Sequence, residues 1–170
     1  QLYGLNPEVR IHWHSERFSR HIHAKALVQA DVVLDCSDNF QTRFELNRAC
    51  REARTPLVAA AASGMYGQLW LLNFERAEQS EQRSLTNPAK PGCLACLFPE
   101  DGPLPTENCN TVGVLGAVLG VLGSMQAGLT VSLLLGNKQE SRFIQYSGTT
   151  ALTKSFPILA DPECECYTLG

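Results

Sequence analysis

The feature that most constrains the fold is the stretch 31–50, DVVLDCSDNFQTRFELNRAC, in which a strand pattern is followed at once by a helix pattern. Val32, Val33 and Leu34 form a short apolar run, as in strands that are covered on both faces of an α/β sheet. From Thr42 onward, apolar residues recur at helical spacing and polar residues lie on the other side. The apolar positions are Phe44, Leu46, Ala49 and Cys50, and the polar positions are Arg43, Glu45, Asn47 and Arg48. The sequence therefore predicts a buried strand that turns directly into a helix.

Two polar residues, Asp38 and Asn39, stand between this strand and this helix. Open α/β sheets bind ligands beyond the carboxyl ends of their strands, so both side chains are candidates for ligand binding. The same residue types also cap helices, because their oxygen atoms accept a hydrogen bond from a backbone N–H of the first turn. The local sequence leaves both roles open.

Length and composition indicate one soluble globular domain. The chain has 170 residues, a net charge of -3 and 44% hydrophobic residues, which is enough for a core and gives no basic surface for nucleic acid. Its amino end, QLYGLNPEVR, lacks the basic and apolar regions of a signal peptide. Seven cysteines, an odd number with uneven spacing, are not typical of a secreted disulfide framework. We therefore expect a cytoplasmic protein with a metal site or a reactive thiol.

Hydrophobic periodicity predicts the other secondary-structure elements. Alternation over residues 9–13 predicts a half-buried strand, and a helix over residues 19–30 leads into the strand at Asp31. The remaining predicted elements are strands at 56–62 and 67–74, an exposed loop at 75–91, and a hairpin over 142–160.

The run 111–136 contains no charged residue, and its composition approaches that of a membrane span. Polar residues interrupt the run, and its glycines indicate close packing of the backbone, so we favour a buried core helix or a dimer-interface helix over a helix in lipid. The glycines concerned are Gly113, Gly116, Gly120 and Gly123.

Four histidines lie within a dozen positions, as the pairs His12/His14 and His21/His23. Residues two apart on a strand share a face, so each pair could serve a metal ion. The sequence shows no cysteine or carboxylate that completes such a site, and we expect solvated histidines.

The cysteines suggest a metal site. Cys93 and Cys96 form a Cys-x-x-Cys in a turn, and Cys164 and Cys166 lie together near the carboxyl end. Two separated pairs of thiolates can hold one tetrahedral zinc ion, and a redox-active dithiol is the competing interpretation.

Three cysteines lie outside these pairs. Cys109 precedes the uncharged run, where a helix amino end stabilises a thiolate, so it is either reactive or a spare buried thiol. Cys36 and Cys50 are expected to be small core residues.

The chain resembles the HesA/MoeB/ThiF family, the bacterial relatives of the ubiquitin-activating enzymes. Four patterns carry the resemblance in family order over nearly all of the chain: DVVLDCSDNFQTRFELNRAC, TPLVAAAASGMYGQL, PGCLACLFP followed by ENCNTVGVLGAVLGVLGSMQA, and the terminal cysteines. The resemblance implies a single domain over 1–170 that is the carboxyl-terminal portion of a Rossmann-like fold, with a mixed sheet flanked by helices and a four-cysteine zinc site. It also implies a homodimer that acts on a ubiquitin-like sulfur carrier, without nucleic acid or membrane partners.

Family membership implies roles for particular residues. Members adenylate the carboxyl-terminal glycine of the carrier with ATP and Mg²⁺. Asp38 matches the aspartate that holds magnesium and the ATP phosphates, and Asn39 matches its neighbour in the nucleotide pocket. Cys93, Cys96, Cys164 and Cys166 match the zinc ligands, although members usually end with Cys-x-x-Cys rather than Cys-x-Cys. Cys109 resembles the cysteine that in some members bonds covalently to the activated carrier.

The family's glycine-rich phosphate loop has no counterpart here, because the chain contains no G-x-G-x-x-G. We therefore interpret the chain as the later part of a longer enzyme that would bind ATP poorly alone. The leading hypothesis is an adenylyltransferase for thiamine or molybdopterin sulfur transfer, with the thiazole-pathway members closer in the ENCNT segment and the short tail. The alternative is a non-catalytic, zinc-stapled module that binds a ubiquitin-like protein.

Overall fold

The structure, a computed structural model, describes residues 2–74, 91–102, 113–137 and 139–168. Within them, five strands form one sheet: β1 (Val33–Asp35), β2 (Leu57–Ser63), β3 (Tyr66–Leu72), β4 (Arg142–Ser147) and β5 (Leu152–Pro157). The helices are α1 (Leu2–Leu5), α2 (Arg20–Gln29), α3 (Phe40–Ala53), α4 (Leu94–Leu97), α5 (Gly116–Leu134) and α6 (Glu165–Thr168). The predicted mixed α/β architecture is confirmed.

The sheet has the order β1-β2-β3-β4-β5, with one parallel pair and three antiparallel pairs. β1 and β2 are parallel, with Val33 opposite Leu57. Two adjacent parallel strands need a crossover between them, and α3 is that crossover. The carboxyl ends of β1 and β2 therefore lie at the same edge of the sheet, next to the start of α3.

Side chains alternate between the two faces of the sheet and form a core on each face. Trp70 and Leu72 of β3 pack with the buried side of α3 and with α4. Leu69, which directly precedes Trp70 in sequence, packs on the opposite face with Val118 and Leu122 of α5. Helices thus cover both faces, and α3 and α5 lie on opposite sides of the sheet.

Helix α3 has well-defined ends. The side chain of Asn39 caps its amino end, and Arg54 ends it in the left-handed conformation with φ 58°. Beyond the helix, the buried hydroxyl of Thr55 donates to the carbonyl oxygen of Leu27 at 2.8 Å, which joins the end of α3 to α2. The caps at Asn39 and Arg54 fix both ends of α3 and therefore the positions of the side chains along it.

Three expectations about single elements were wrong. Residues 9–13 form no strand in the described part of the chain, and Trp13 is 78% exposed. A strand needs a neighbour for its backbone hydrogen bonds, and none of the described strands lies beside this segment. Arg43 and Asn47, placed by their polarity on the outer side of α3, are buried. Cys36 is exposed rather than in the core, whereas Cys50 is fully buried as expected.

Helix α5 is packed on the sheet along one stripe only. Its buried residues are Val118, Leu122, Gln126 and Thr130, spaced four apart. Gln126 donates to the carbonyl oxygens of Asp35 at 3.1 Å and Val58 at 2.8 Å, and thereby ties α5 to β1 and β2. By length and composition alone, this is the one helix among the described residues that is apolar enough to cross a membrane, which is weak evidence. Most of its surface is exposed in the single chain, so of the two expected alternatives the buried core helix is not observed and the dimer-interface helix stays a prediction.

Candidate functional site at the sheet edge and the cysteine cluster

The loop between β1 and α3, residues 36–39, is called the rim loop here. Ser37 donates its backbone N–H to the Asp35 carboxylate at 2.8 Å, which closes a tight turn directly after β1. The guanidinium group of Arg43 donates to the carbonyl oxygens of Ser37 and Ala60, the latter at 3.0 Å. It also lies over the ring of Trp70 at 5.3 Å. The buried arginine therefore fixes the rim loop against β2.

Asn39 and Asp38 have different positions in the rim loop. Asn39 accepts the backbone N–H of Thr42 at 2.9 Å through Oδ1, so the capping alternative applies to Asn39. Its Nδ2 donates to Asp38 Oδ1 at 3.2 Å. Asp38 is exposed, and its carboxylate lies beyond the carboxyl end of β1 at the amino end of α3. A carboxylate held in this way can bind a hydrated divalent cation.

The sulfur atoms of Cys93, Cys96, Cys164 and Cys166 all lie within 4.8 Å of one another, and we call this group the cysteine cluster. Cys93 is 3.9 Å from Cys96 and 3.7 Å from Cys164, and Cys96 is 3.2 Å from Cys166. Disulfide bonds are about 2.05 Å long, and the four residues are free thiols. Four zinc ligands at about 2.3 Å in a tetrahedron lie about 3.8 Å apart, so the cysteine cluster fits that ion.

Packing between distant segments brings the two cysteine pairs together. Asn47 of α3, which is buried, accepts the backbone N–H of Leu94 at 3.0 Å and so holds the turn between Cys93 and Cys96. Gly92 donates to the carbonyl oxygen of Ile158 at 2.9 Å, which ties this turn to the segment after β5. A Cβ atom at position 92 would collide with the carbonyl of Leu159, so only glycine allows this approach. These contacts place the terminal Cys-x-Cys beside the first pair.

The surroundings shift the pKa values of the clustered thiols in both directions. Burial raises the pKa of Cys164 to about 11, and burial together with the Cys96 thiol raises the pKa of Cys166. Burial also acts to raise the pKa of Cys96, but the N–H groups of Asp161 and Cys93 donate to its sulfur and outweigh that effect, so its pKa is lowered. Cys96 is therefore more readily ionised than Cys164 and Cys166, and a metal ion has to displace the protons of those two thiols.

Two predicted features lie outside the described residues: Cys109, and nearly all of the loop expected at 75–91. Cys109 therefore remains a candidate nucleophile from the sequence alone.

The histidine pairs do not form sites as pairs. Instead His14, from the first pair, meets His23, from the second, with Glu16 between them. The sequence analysis overlooked Glu16, and the signal that could have found it was the spacing His-x-Glu.

Comparisons with solved structures give the class of the fold. The chain superposes on the crystal structure of Escherichia coli MccB with ATP with a TM-score of 0.69, covering 98% of this chain and 48% of that one. The sequence identity is 13%, so the likeness concerns the fold alone. A three-layer α/β fold of this kind, with polar side chains at the carboxyl edge of its parallel strands, is suited to ligand binding at that edge.

Sequence comparison gives the family. The model of the ThiF family matches residues 1–168, and the chain belongs to that family. It is 40% identical over 136 residues to the "Sulfur carrier protein ThiS adenylyltransferase" of Escherichia coli strain K12, covering 80% of this chain and 49% of the relative. It is also 40% identical over 163 residues to the "Adenylyltransferase and sulfurtransferase MOCS3" of Drosophila willistoni, covering 92% and 32%. The chain thus spans 32% to 49% of the length of these relatives.

Proposed function

We propose that the chain belongs to an ATP-dependent adenylyltransferase that activates the carboxyl-terminal glycine of a ubiquitin-like sulfur carrier. Membership of the ThiF family and the two named relatives support adenylation of a sulfur carrier in general. The observation that carries the proposal for this chain is the exposed carboxylate of Asp38, held at the carboxyl edge of β1 and at the start of α3. Cation and phosphate binding sites are both favourable there.

In this proposal Asp38 holds Mg²⁺ and Asn39 lies beside the nucleotide. Mg²⁺ prefers carboxylate and phosphate oxygens, and it neutralises the charge that develops at the phosphates. Asn39 keeps the Asp38 carboxylate in place through its Nδ2, and the first-turn N–H groups of α3 point toward the same region. The carrier carboxylate attacks the α-phosphorus of ATP, an acyl adenylate forms, and pyrophosphate leaves. Cys109 is the proposed acceptor in a further step, in which its thiolate attacks the acyl carbon of the adenylate, a thioester forms and AMP leaves.

The cysteine cluster is proposed to hold a structural Zn²⁺ rather than to take part in the reaction. Its sulfur separations support a tetrahedral ion, and two of its ligands follow β5 while the other two lie next to α3. A metal ion bound there would clamp the carboxyl-terminal segment to α3 through the turn that Asn47 holds. A structural zinc of this kind contributes directly to the free energy of folding.

We further propose that the protein is a cytoplasmic homodimer in which α5 packs against a second copy. The exposed face of α5 carries large apolar side chains, among them Leu119, Val131 and Leu134. Four glycines of the helix, Gly116, Gly120, Gly123 and Gly128, have open space where a Cβ would lie. Glycine in a helix costs about 1 kcal/mol relative to alanine. Close approach of a helix from a second copy would explain why these positions are glycine. No contact that the structure describes within the single chain explains it.

The carrier is proposed to be ThiS-like, in thiamine biosynthesis, ahead of a MoaD-like carrier in molybdopterin biosynthesis. The choice of carrier is tested by ATP–pyrophosphate exchange with the full-length gene product. The assay is run separately with a ThiS-like and a MoaD-like carrier, each ending in Gly-Gly. We expect exchange that depends on the carrier, and a loss of about 100-fold or more in Asp38→Ala because an electrostatic stabiliser of the transition state is removed.

The matched control is Asp31→Ala, since Asp31 is also exposed and precedes β1 at its other end. We expect it to leave the exchange rate unchanged. Exchange that survives Asp38→Ala would refute the role of Asp38. No exchange with either carrier, together with retained binding of a carrier, would support a non-catalytic module instead.

A further inference from the structure

Three metal-binding side chains converge between the segment before α2 and α2 itself. His14 Nδ1 lies 3.6 Å from Glu16 Oε1, and His23 Nε2 lies 3.5 Å from the same oxygen. The three ligand atoms are all within 4.8 Å of one another. These residues do not belong to the rim loop or to the cysteine cluster, so neither proposed site explains their arrangement.

Both contacts to Glu16 are within ion-pair range, and their lengths are also compatible with two ligands on one metal ion. A charge-assisted hydrogen bond between an imidazole and a carboxylate is about 2.7–2.9 Å long, and both contacts to Glu16 are longer than that. Zinc binds nitrogen and oxygen at about 2.0–2.2 Å, so neighbouring ligands in a tetrahedron lie about 3.4 Å apart. The observed 3.5 Å and 3.6 Å therefore leave the space that a first-row ion needs.

His23 is already oriented for this role. Its side chain is only 14% exposed, and its ring is stacked on Phe18 with 5.3 Å between the ring centres. Nδ1 lies 3.0 Å from the carbonyl oxygen of Ser19 and 3.2 Å from the backbone nitrogen of the same residue, so it donates to the first when it carries the proton and accepts from the second when it does not. Metal binding selects the tautomer with the proton on Nδ1, in which the lone pair of Nε2 points toward Glu16. Metal-bound histidines commonly hold their second nitrogen in this way.

We propose that His14, Glu16 and His23 bind a first-row divalent transition-metal ion, with Zn²⁺ as the reference ion. Two imidazoles and one carboxylate are a donor set that suits such ions, and water would complete the fourth position. The bound ion joins the segment before α2 to the first turn of α2. Arg17 lies between Glu16 and His23 in sequence, and its guanidinium group donates to the side chain of Gln41 in α3 at 3.1 Å. This hydrogen bond ties the metal-binding segment to the helix that begins at the rim loop.

Metal stoichiometry tests the proposal on the full-length protein. Zinc bound per chain is measured by equilibrium dialysis and elemental analysis at increasing free Zn²⁺, with the cysteine cluster filled first. We expect a second, weaker zinc in the wild type. Glu16→Gln should weaken it by about 100-fold, because it removes the charged ligand shared by both histidines. Glu16 is half exposed, so this substitution is not expected to disturb folding.

The matched control is His21→Ala. His21 lies on α2 two residues before His23, is exposed, and is outside the group of ligands. It should keep the second zinc. As an independent measurement, Cu²⁺ added to protein in which only the cysteine cluster holds zinc should broaden the imidazole NMR signals of His14 and His23 before those of His12 and His21. One zinc per chain in the wild type, a second zinc that persists in Glu16→Gln, or equal broadening of all four histidines would overturn the proposal.

Discussion

Replacing Gln126 by methionine tests how α5 is attached to the sheet. The side chain is 4% exposed, and its Nε2 donates to two carbonyl oxygens, one at the end of β1 and one in β2. Methionine has nearly the same volume, so the change removes the donors without opening a cavity. Each hydrogen bond contributes about 1 kcal/mol net, and the buried carbonyl groups lose their partner, which gives an expected loss of about 1–3 kcal/mol in the free energy of unfolding.

The measurement is urea unfolding followed by far-UV circular dichroism, with zinc kept in excess so that the metal site is the same in all variants. Gln145→Met is the matched control, because Gln145 is exposed on β4 and should change the unfolding free energy by no more than about 0.5 kcal/mol. Gln126→Glu should cost more than Gln126→Met at neutral pH, because a carboxylate would then face two carbonyl oxygens.

Equal unfolding free energies for Gln126→Met and Gln145→Met would refute this description of α5. In that case Gln126 would not hold α5 on the sheet. The hydrogen bond from Gln126 would then also not fix the carboxyl end of β1 next to α5. A loss well above 3 kcal/mol would show instead that the side chain does more than bridge the two strands.

Further predictions concern packing, capping and reactivity. Gly67→Val should destabilise the fold by about 1–3 kcal/mol in thermal unfolding, because a Cβ atom there would lie 2.5 Å from the packed side chain of Leu122 in α5. Gly120 has open space around it, so Gly120→Val should unfold no more easily. It should, however, lower the dimer fraction measured by analytical ultracentrifugation. Asn39→Ala should cost about 1 kcal/mol through loss of the α3 cap, and Asn39→Ser should restore most of it. Iodoacetamide should label the exposed Cys36 in the native protein but not the buried Cys50. Burial raises the pKa of the Cys50 thiol to about 12, so that thiol is both inaccessible and protonated. Peptide mass spectrometry measures the labelling, and labelling of Cys50 in the native protein would contradict its position.

The sequence predicted those elements whose pattern is complete within a few residues. The strand-to-helix stretch, the small-residue strand β2 and the carboxyl-terminal hairpin follow from periodicity and turn residues alone. The predicted strand at 9–13 failed because alternation shows which side chains would face a core but not whether a neighbouring strand is there to pair with. Its side chains are largely exposed, and Trp13 has no core to enter in the described structure.

Burial of polar residues was the main error in the candidate site. Polarity alone assigned Arg43 and Asn47 to solvent, although the helical spacing places both on the same face as Cys50. Both are buried since each finds partners outside the helix: Arg43 reaches carbonyl groups of the rim loop and β2, and Asn47 accepts from Leu94. Ala60 and Leu94 come from other segments, 17 and 47 residues away in sequence, so no pattern within the helix indicates them. The two cysteine pairs, by contrast, predicted that all four sulfur atoms would come together, although the Cys-x-Cys spacing of the tail differs from the usual one.

Helix α3 connects the two proposed functional regions. Asn39 caps it at the rim loop, and Asn47 lies eight residues later, which at about 1.5 Å per residue is about 12 Å along the helix axis. The amino end positions the Asp38 carboxylate, and Asn47 holds the turn that carries two of the four clustered cysteines. Loss of the proposed zinc ion would therefore loosen the contacts around Asn47 in the middle of α3, while the cap and Arg43 still hold its amino end. The arrangement predicts that the cysteine cluster stabilises the site and that its removal acts on the unfolding free energy before it acts on the geometry around Asp38.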